Sequence, residues 1–197
     1  MRKKISILCM VGGILLIAAA GSLAVYNLIE DEYAAKAAYN SLLELQQVIK
    51  KTESNESVEN IELSEEMAVI EIDGYGYIGY LSIPTLNLEL PVMSEWDYTR
   101  LKTAPCLYYG SVKTDNMVIA AHNYTRHFGR LSSLEIGDTV QFTDMKGKVY
   151  IYEVGDIEIL PPTATEEMIV SDWDLTLYTC TYGGESRVTV RCERDEQ

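Results

Sequence analysis

Few side chains in this sequence can do covalent chemistry. It has four cysteines (Cys9, Cys106, Cys180, Cys192) and two histidines (His122, His127). The informative pair lies near the C-terminus. Two β-prone runs, Leu175–Cys180 and Arg187–Cys192, flank the loop Thr181–Ser186, which holds Gly183-Gly184. A hairpin symmetric about that loop sets Cys180 opposite Arg187, Tyr178 opposite Thr189 and Thr176 opposite Arg191. Directly opposed residues share a sheet face with Cβ atoms about 4.5–5.5 Å apart. A neighbouring cation favours the thiolate, the nucleophilic form of cysteine. The other face of the hairpin reads Leu175, Leu177, Thr179, Val188, Val190 and Cys192, a core face. In this register four ladder pairs separate Cys180 from Cys192, which puts them beyond the roughly 7 Å limit for a disulfide.

A thiolate nucleophile needs a proton partner. His122 follows the apolar run Met117-Val118-Ile119-Ala120-Ala121, so it stands at the end of a buried strand, a rigid mount for a catalytic base. His127, between Arg126 and Phe128, reads as a surface histidine in a loop or helix start. Cys9 lies in an apolar segment, and Cys106 and Cys192 read as buried thiols. Arg191 stands about 13–14 Å along the strand from Arg187, where it would act through stability or surface charge. There is no Cys-x-x-Cys pair or close His/Cys spacing, so no metal site is expected. Gly74-Tyr75-Gly76-Tyr77-Ile78-Gly79 fits GxGxxG in form but precedes a strand, so it does not read as a phosphate cradle.

Several elements must position these residues. From Gly74 onward, β-rich runs alternate with turn residues: Tyr77–Ile83, Leu88–Val92, Met117–Ala121, Thr139–Thr143, Lys148–Leu160 and the two hairpin strands. Seven or eight strands in about 120 residues predict an all-β closed barrel or sandwich. Short helical pieces are expected near Tyr98–Ala104 and Phe128–Leu134.

Ahead of this domain, Ile5–Ile29 carries no charge. As helix it spans roughly 37 Å, enough for a bilayer core of about 30 Å. Arg2, Lys3 and Lys4 precede it and Glu30, Asp31 and Glu32 follow, so the positive-inside rule keeps the N-terminus cytoplasmic and the rest outside. A cleaved signal peptide with its site near Ala18-Ala19-Ala20 is the rival, but the apolar run continues past it. Residues 30–52 read as a helical stalk, and 53–72 as an acidic linker rich in glutamate. The expected division is therefore an anchor at 1–29, stalk and linker at 30–72, and a catalytic domain at 73–197. The formal net charge is −14, and all 30 acids follow residue 29. That balance excludes a nucleic-acid partner, which wants a basic face.

Thr176-Leu177-Tyr178-Thr179-Cys180 resembles the sortase signature T-L-x-T-C, with Arg187 in the place of the sortase arginine. Ala120-Ala121-His122-Asn123 is similar to the segment holding the sortase histidine. Gly79–Pro84, Phe128–Leu131 and Ile136–Val140 are also sortase-like. The resemblance covers about residues 73–197. It implies a closed eight-stranded sortase-like β-barrel with short helices, preceded by the membrane helix and stalk; no cofactor is expected from the residues, which form no convincing calcium cluster. It also implies a cysteine transpeptidase of the cell membrane. Such enzymes cut a C-terminal sorting signal, often of the LPxTG type, from a secreted protein and join the new carboxyl end to an amine of cell-wall precursor or pilin. By position, Cys180 would form the thioester, His122 would move protons, Arg187 would stabilise the oxyanion or hold substrate backbone, and Thr179 would assist substrate binding. Pro161–Asp174 leaves little room for the long helix that class B sortases carry before the nucleophile strand. The alternatives are a thiol hydrolase releasing the same acyl-enzyme to water, and a membrane-anchored domain that only binds.

Overall fold

The computed structural model describes residues 2–54 and 67–195. Most of the expected acidic linker lies outside the described residues. The chain divides into two compact units, Met1–Tyr33 and Ala34–Gln197. A single helix, α1, runs Arg2–Ser54. Its apolar N-terminal part is long and hydrophobic enough to cross a membrane, by length and composition. Within the second unit, Ala34, Ala38, Leu42, Leu45 and Ile49 of α1 are buried. Their i, i+4, i+8 spacing makes one apolar stripe, as a helix lying on a core requires.

Nine strands follow: β1 (Ile70–Ile72), β2 (Tyr75–Ile83), β3 (Leu88–Met93), β4 (Cys106–Tyr109), β5 (Met117–Ala120), β6 (Thr139–Asp144), β7 (Val149–Leu160), β8 (Leu175–Cys180) and β9 (Arg187–Arg194). Strands β2-β3-β4-β5-β8-β9-β7-β6 are paired in that order, and β6 pairs again with β2. This closes an eight-stranded barrel, the expected fold. The short β1 pairs with β2 beside β6, extending that edge. Closure leaves the barrel strands without free edges, a form that protects a β-domain from edge-to-edge pairing.

Side chains alternate between two apolar clusters. The barrel interior holds Leu81, Val92, Met117, Ile119, Ala121, Phe142, Tyr152, Leu175, Leu177, Val188, Val190 and Cys192. A second cluster on the opposite face of the wall holds Tyr77, Met93, Cys106 and Ala120 with Leu45 and Ile49 of α1. Strand β5 is therefore buried on both faces, which is why Met117–Ala121 reads as a continuous apolar run and not as an alternating one.

Two strands escape the sequence reading, β1 and β4, each four residues or fewer. The expected helical pieces shrink to single 3₁₀ turns at Arg100–Lys102 and Leu131–Ser133. Between β7 and β8 only a five-residue helix forms, α2 (Thr165–Ile169), in keeping with the little room seen there.

Candidate active site

The β8–β9 ladder has the symmetric register. Cys180 pairs with Arg187, Thr179 with Val188, Tyr178 with Thr189 and Thr176 with Arg191. The loop turns on Gly183 and Gly184, both at positive φ (84° and 77°), which other residues adopt only with strain. Thr181 N–H donates to the Ser186 carbonyl (2.9 Å), and Ser186 N–H donates back to Thr181 Oγ1 (3.0 Å), closing the loop. Arg187 Nη1 donates to the carbonyls of Gly184 and Ser186, both at 3.1 Å. The guanidinium is thus pinned by the loop that follows the thiol. Cys180 and Arg187 are both half-buried.

The histidine arrives by a different pairing. Strands β5 and β8 are parallel, with Ala120 opposite Tyr178. Ala121 N–H donates to the Tyr178 carbonyl (3.2 Å), and Thr179 Oγ1 donates to the Ala121 carbonyl (2.8 Å). Two residues past the Ala120–Tyr178 pair, one strand presents His122 and the other Cys180. Adjacent strands lie about 4.8 Å apart. The neighbouring ends of β5, β8 and β9 therefore bring His122, two residues beyond β5, alongside Cys180 and Arg187 at one end of the sheet. Thr179 faces the barrel interior, 3% exposed, with its hydroxyl given to Ala121.

The other cysteines differ in environment. Cys106 and Cys192 are buried, and burial pushes both thiols up to about 12. All four cysteines are free. No group of three or more His, Cys, Asp or Glu side chains converges among the described residues.

Two expectations are corrected. His127 is completely buried (0% exposed), not a surface residue. Its ring lies 5.5 Å from that of Tyr124, which in turn lies 5.0 Å from His122. Arg191 is 3% exposed and does not act as surface charge. Its Nε donates to Glu158 Oε1 (2.8 Å), Nη1 to Thr176 Oγ1 (2.9 Å) and Nη2 to the Glu167 carbonyl (2.7 Å). It ties β7, β8 and α2 to β9, beneath the polar-looking face of the hairpin.

The sequence reading also missed the aromatic surroundings of the thiol. Tyr178, two residues before Cys180 on the same face, meets Tyr108 edge-on at 5.4 Å, and Tyr108 meets Trp96 at 5.7 Å. Ala120, the small ladder partner of Tyr178, lies in the strand between β4 and β8. Burial first, then the Tyr108 phenol, holds the Tyr178 hydroxyl above its ordinary range. The signal for this cluster was Tyr108 in a four-residue strand between Pro105 and Gly110, too short to read as a strand.

Comparison with known proteins agrees with this architecture. The family profile described as Sortase domain matches residues 81–195. The chain is 31% identical over 123 residues to sortase A of Bacillus anthracis, a match spanning 58% of this chain and 57% of that protein. Sortase C from Clostridium perfringens, solved with the C-terminal cell wall sorting motif, is 26% identical with a TM-score of 0.54, covering 80% of this chain and 91% of that one. The Clostridium perfringens sortase D5 transpeptidase shares the fold at a TM-score of 0.62 and 18% identity, covering 81% and 99%. With more than half its length matched by the domain profile, and the same barrel in solved relatives, the chain belongs to the sortase family.

Proposed function

We propose that the chain is a membrane-anchored cysteine transpeptidase acting on the sorting signals of secreted proteins. One observation carries the reading: two independent strand registers bring His122, Cys180 and Arg187 to adjacent positions at one end of the sheet. Cys180 thiolate attacks the scissile carbonyl, the C–N bond breaks, and a thioester forms. His122 as imidazolium gives its proton to the leaving amine and then, as imidazole, takes one from the incoming amine, whose nitrogen forms the new amide bond as the C–S bond breaks and the Cys180 thiolate leaves. Arg187, held by the Gly184 and Ser186 carbonyls, offers its remaining N–H groups to the oxyanion. Thr179 serves the substrate site by holding β5 against β8 just below the thiol.

The substrate is an LPxTG-like C-terminal signal, a reading supported by the related Clostridium perfringens enzyme solved with its sorting motif. The acceptor is an amine of cell-wall precursor or pilin. The Ile5–Ile29 segment is the single-pass anchor, N-terminus in the cytoplasm, with the catalytic domain outside the cell.

The test uses the full chain in detergent with LPxTG-like peptides, with and without an amine acceptor, and mass spectrometry of products and enzyme. A peptide thioester on Cys180 and an amine-dependent transfer product are expected. Hydrolysis alone at saturating acceptor would replace the transferase reading with a thiol hydrolase. Full activity in Cys180→Ala would remove the assignment of the nucleophile.

A further inference from the structure

The geometry points to Tyr124 as a positioning residue that sets the ring orientation of His122, braced from behind by the buried His127. The inference rests on His122 being the proton carrier of the proposed reaction. His122 lies two residues past Ala120, the last residue of β5, at the head of the turn that runs to Gly129.

That turn is closed by its own backbone. Phe128 N–H donates to the His122 carbonyl (3.2 Å), and the N–H groups of His127 and Gly129 both donate to the Tyr124 carbonyl (2.9 Å each). Gly129 is required by packing, because a Cβ there would lie 2.5 Å from the Asn123 carbonyl oxygen and 2.7 Å from that of Tyr124. Phe128 anchors the turn in the barrel interior. On this frame three rings adjoin one another in series. Tyr124 is tilted 44° against His122 at 5.0 Å, and His127 meets Tyr124 at 66° and 5.5 Å. Ring contacts at such distances are favourable and directional. His127 is wholly buried while His122 is half-buried, so the series has one fixed end and one end at the reacting site. An imidazole that must serve both a leaving and an incoming amine needs a defined ring plane. A misplacement of about 1 Å at a reacting group costs on the order of 10²-fold in rate.

The test compares Tyr124→Phe, Tyr124→Leu and His122→Ala in the full chain, reading kcat and KM separately for peptide transfer. Phe keeps the ring, whereas Leu keeps apolar bulk without it. The expected result is Tyr124→Phe within about threefold of the parent. Tyr124→Leu should lose at least about tenfold in kcat with KM within about threefold. A second readout needs no activity. The chain has only two histidines, so the imidazole Hδ2 resonance of His122 can be assigned by difference. Its ring-current shift should persist in the Phe variant and vanish in the Leu variant. Equal kcat in the Phe and Leu variants, or an unmoved His122 resonance in a folded Leu variant, overturns the positioning role while leaving the proposed reaction intact if His122→Ala is inactive. Full activity in His122→Ala overturns both.

Discussion

Truncating the two arginines of β9 one at a time should separate chemistry from architecture. Both point to one face of the strand, yet they are embedded differently. Arg191 is 3% exposed and makes three charge-assisted hydrogen bonds, to Glu158, Thr176 and the Glu167 carbonyl. Removing one partner of a buried ion pair costs about 3–5 kcal/mol. The Glu158 side chain is 35% exposed and can be rehydrated, so about 3 kcal/mol is the better figure. For a domain of this size each kcal/mol moves Tm by about 2–4 °C. Arg191→Ala should therefore lower Tm by roughly 6–12 °C, while kcat/KM measured well below Tm stays within about tenfold of the parent. Arg187 is half-buried and its protein partners are two loop carbonyls, so its truncation should move Tm by less than about 3 °C. Its cost falls on the reaction. Loss of an oxyanion donor typically lowers the rate by about 10²–10³, and Arg187→Lys should recover only part, because ammonium lacks the fixed fork of donors. The assays are kcat/KM for peptide transfer at 25 °C and differential scanning calorimetry on the same preparations. If folded Arg191→Ala loses more activity than Arg187→Ala, the alignment of Cys180 with Arg187 has no bearing on catalysis and the reasoning fails.

Two further outcomes are expected. Thr179→Val removes the hydroxyl that reaches Ala121, leaving a buried carbonyl without that donor. It should cost about 1–3 kcal/mol by urea unfolding and lower kcat, whereas Thr179→Ser should retain both; a Val variant equal to the parent would refute the tie between β5 and β8. Burial raises the Cys106 and Cys192 thiols to about 12. Below pH 8 the folded and unfolded chains hold these protons equally. Between about pH 9 and 12 the unfolded chain releases them while the folded chain does not, so stability falls, by up to about 1.4 kcal/mol per pH unit for each thiol. Urea unfolding between pH 8 and 11 should show this decline and a shallower one in the Cys106→Ala/Cys192→Ala double variant; identical slopes would contradict it.

Some of this molecule is written in local sequence. The hairpin register follows from Gly183-Gly184 at the turn and from the core face Leu175, Leu177, Val188 and Val190, because a one-residue slip would turn every apolar side chain outward. The uncharged Ile5–Ile29 run and the helical composition after it announce α1 for the same reason: each pattern is read against a neighbour a few residues away. Short elements were not legible. β1 and β4 have too few residues for a period to emerge, and the expected helices reduce to 3₁₀ turns because nothing local extends them.

The site needed tertiary structure for its third member. Cys180 and Arg187 share a hairpin, but His122 meets them only through the parallel β5–β8 ladder. A parallel pairing joins segments distant in the chain and leaves no turn to mark its register. Burial of polar side chains was likewise a decision of the fold. Arg191 and His127 look like surface residues by type, and their neighbours in sequence give no contrary sign. Only the packing of α2 and Glu158 over the hairpin, and the closed turn from His122 to Gly129, places them inside. A charged or polar group is buried only where partners converge on it, and those partners come from distant parts of the chain.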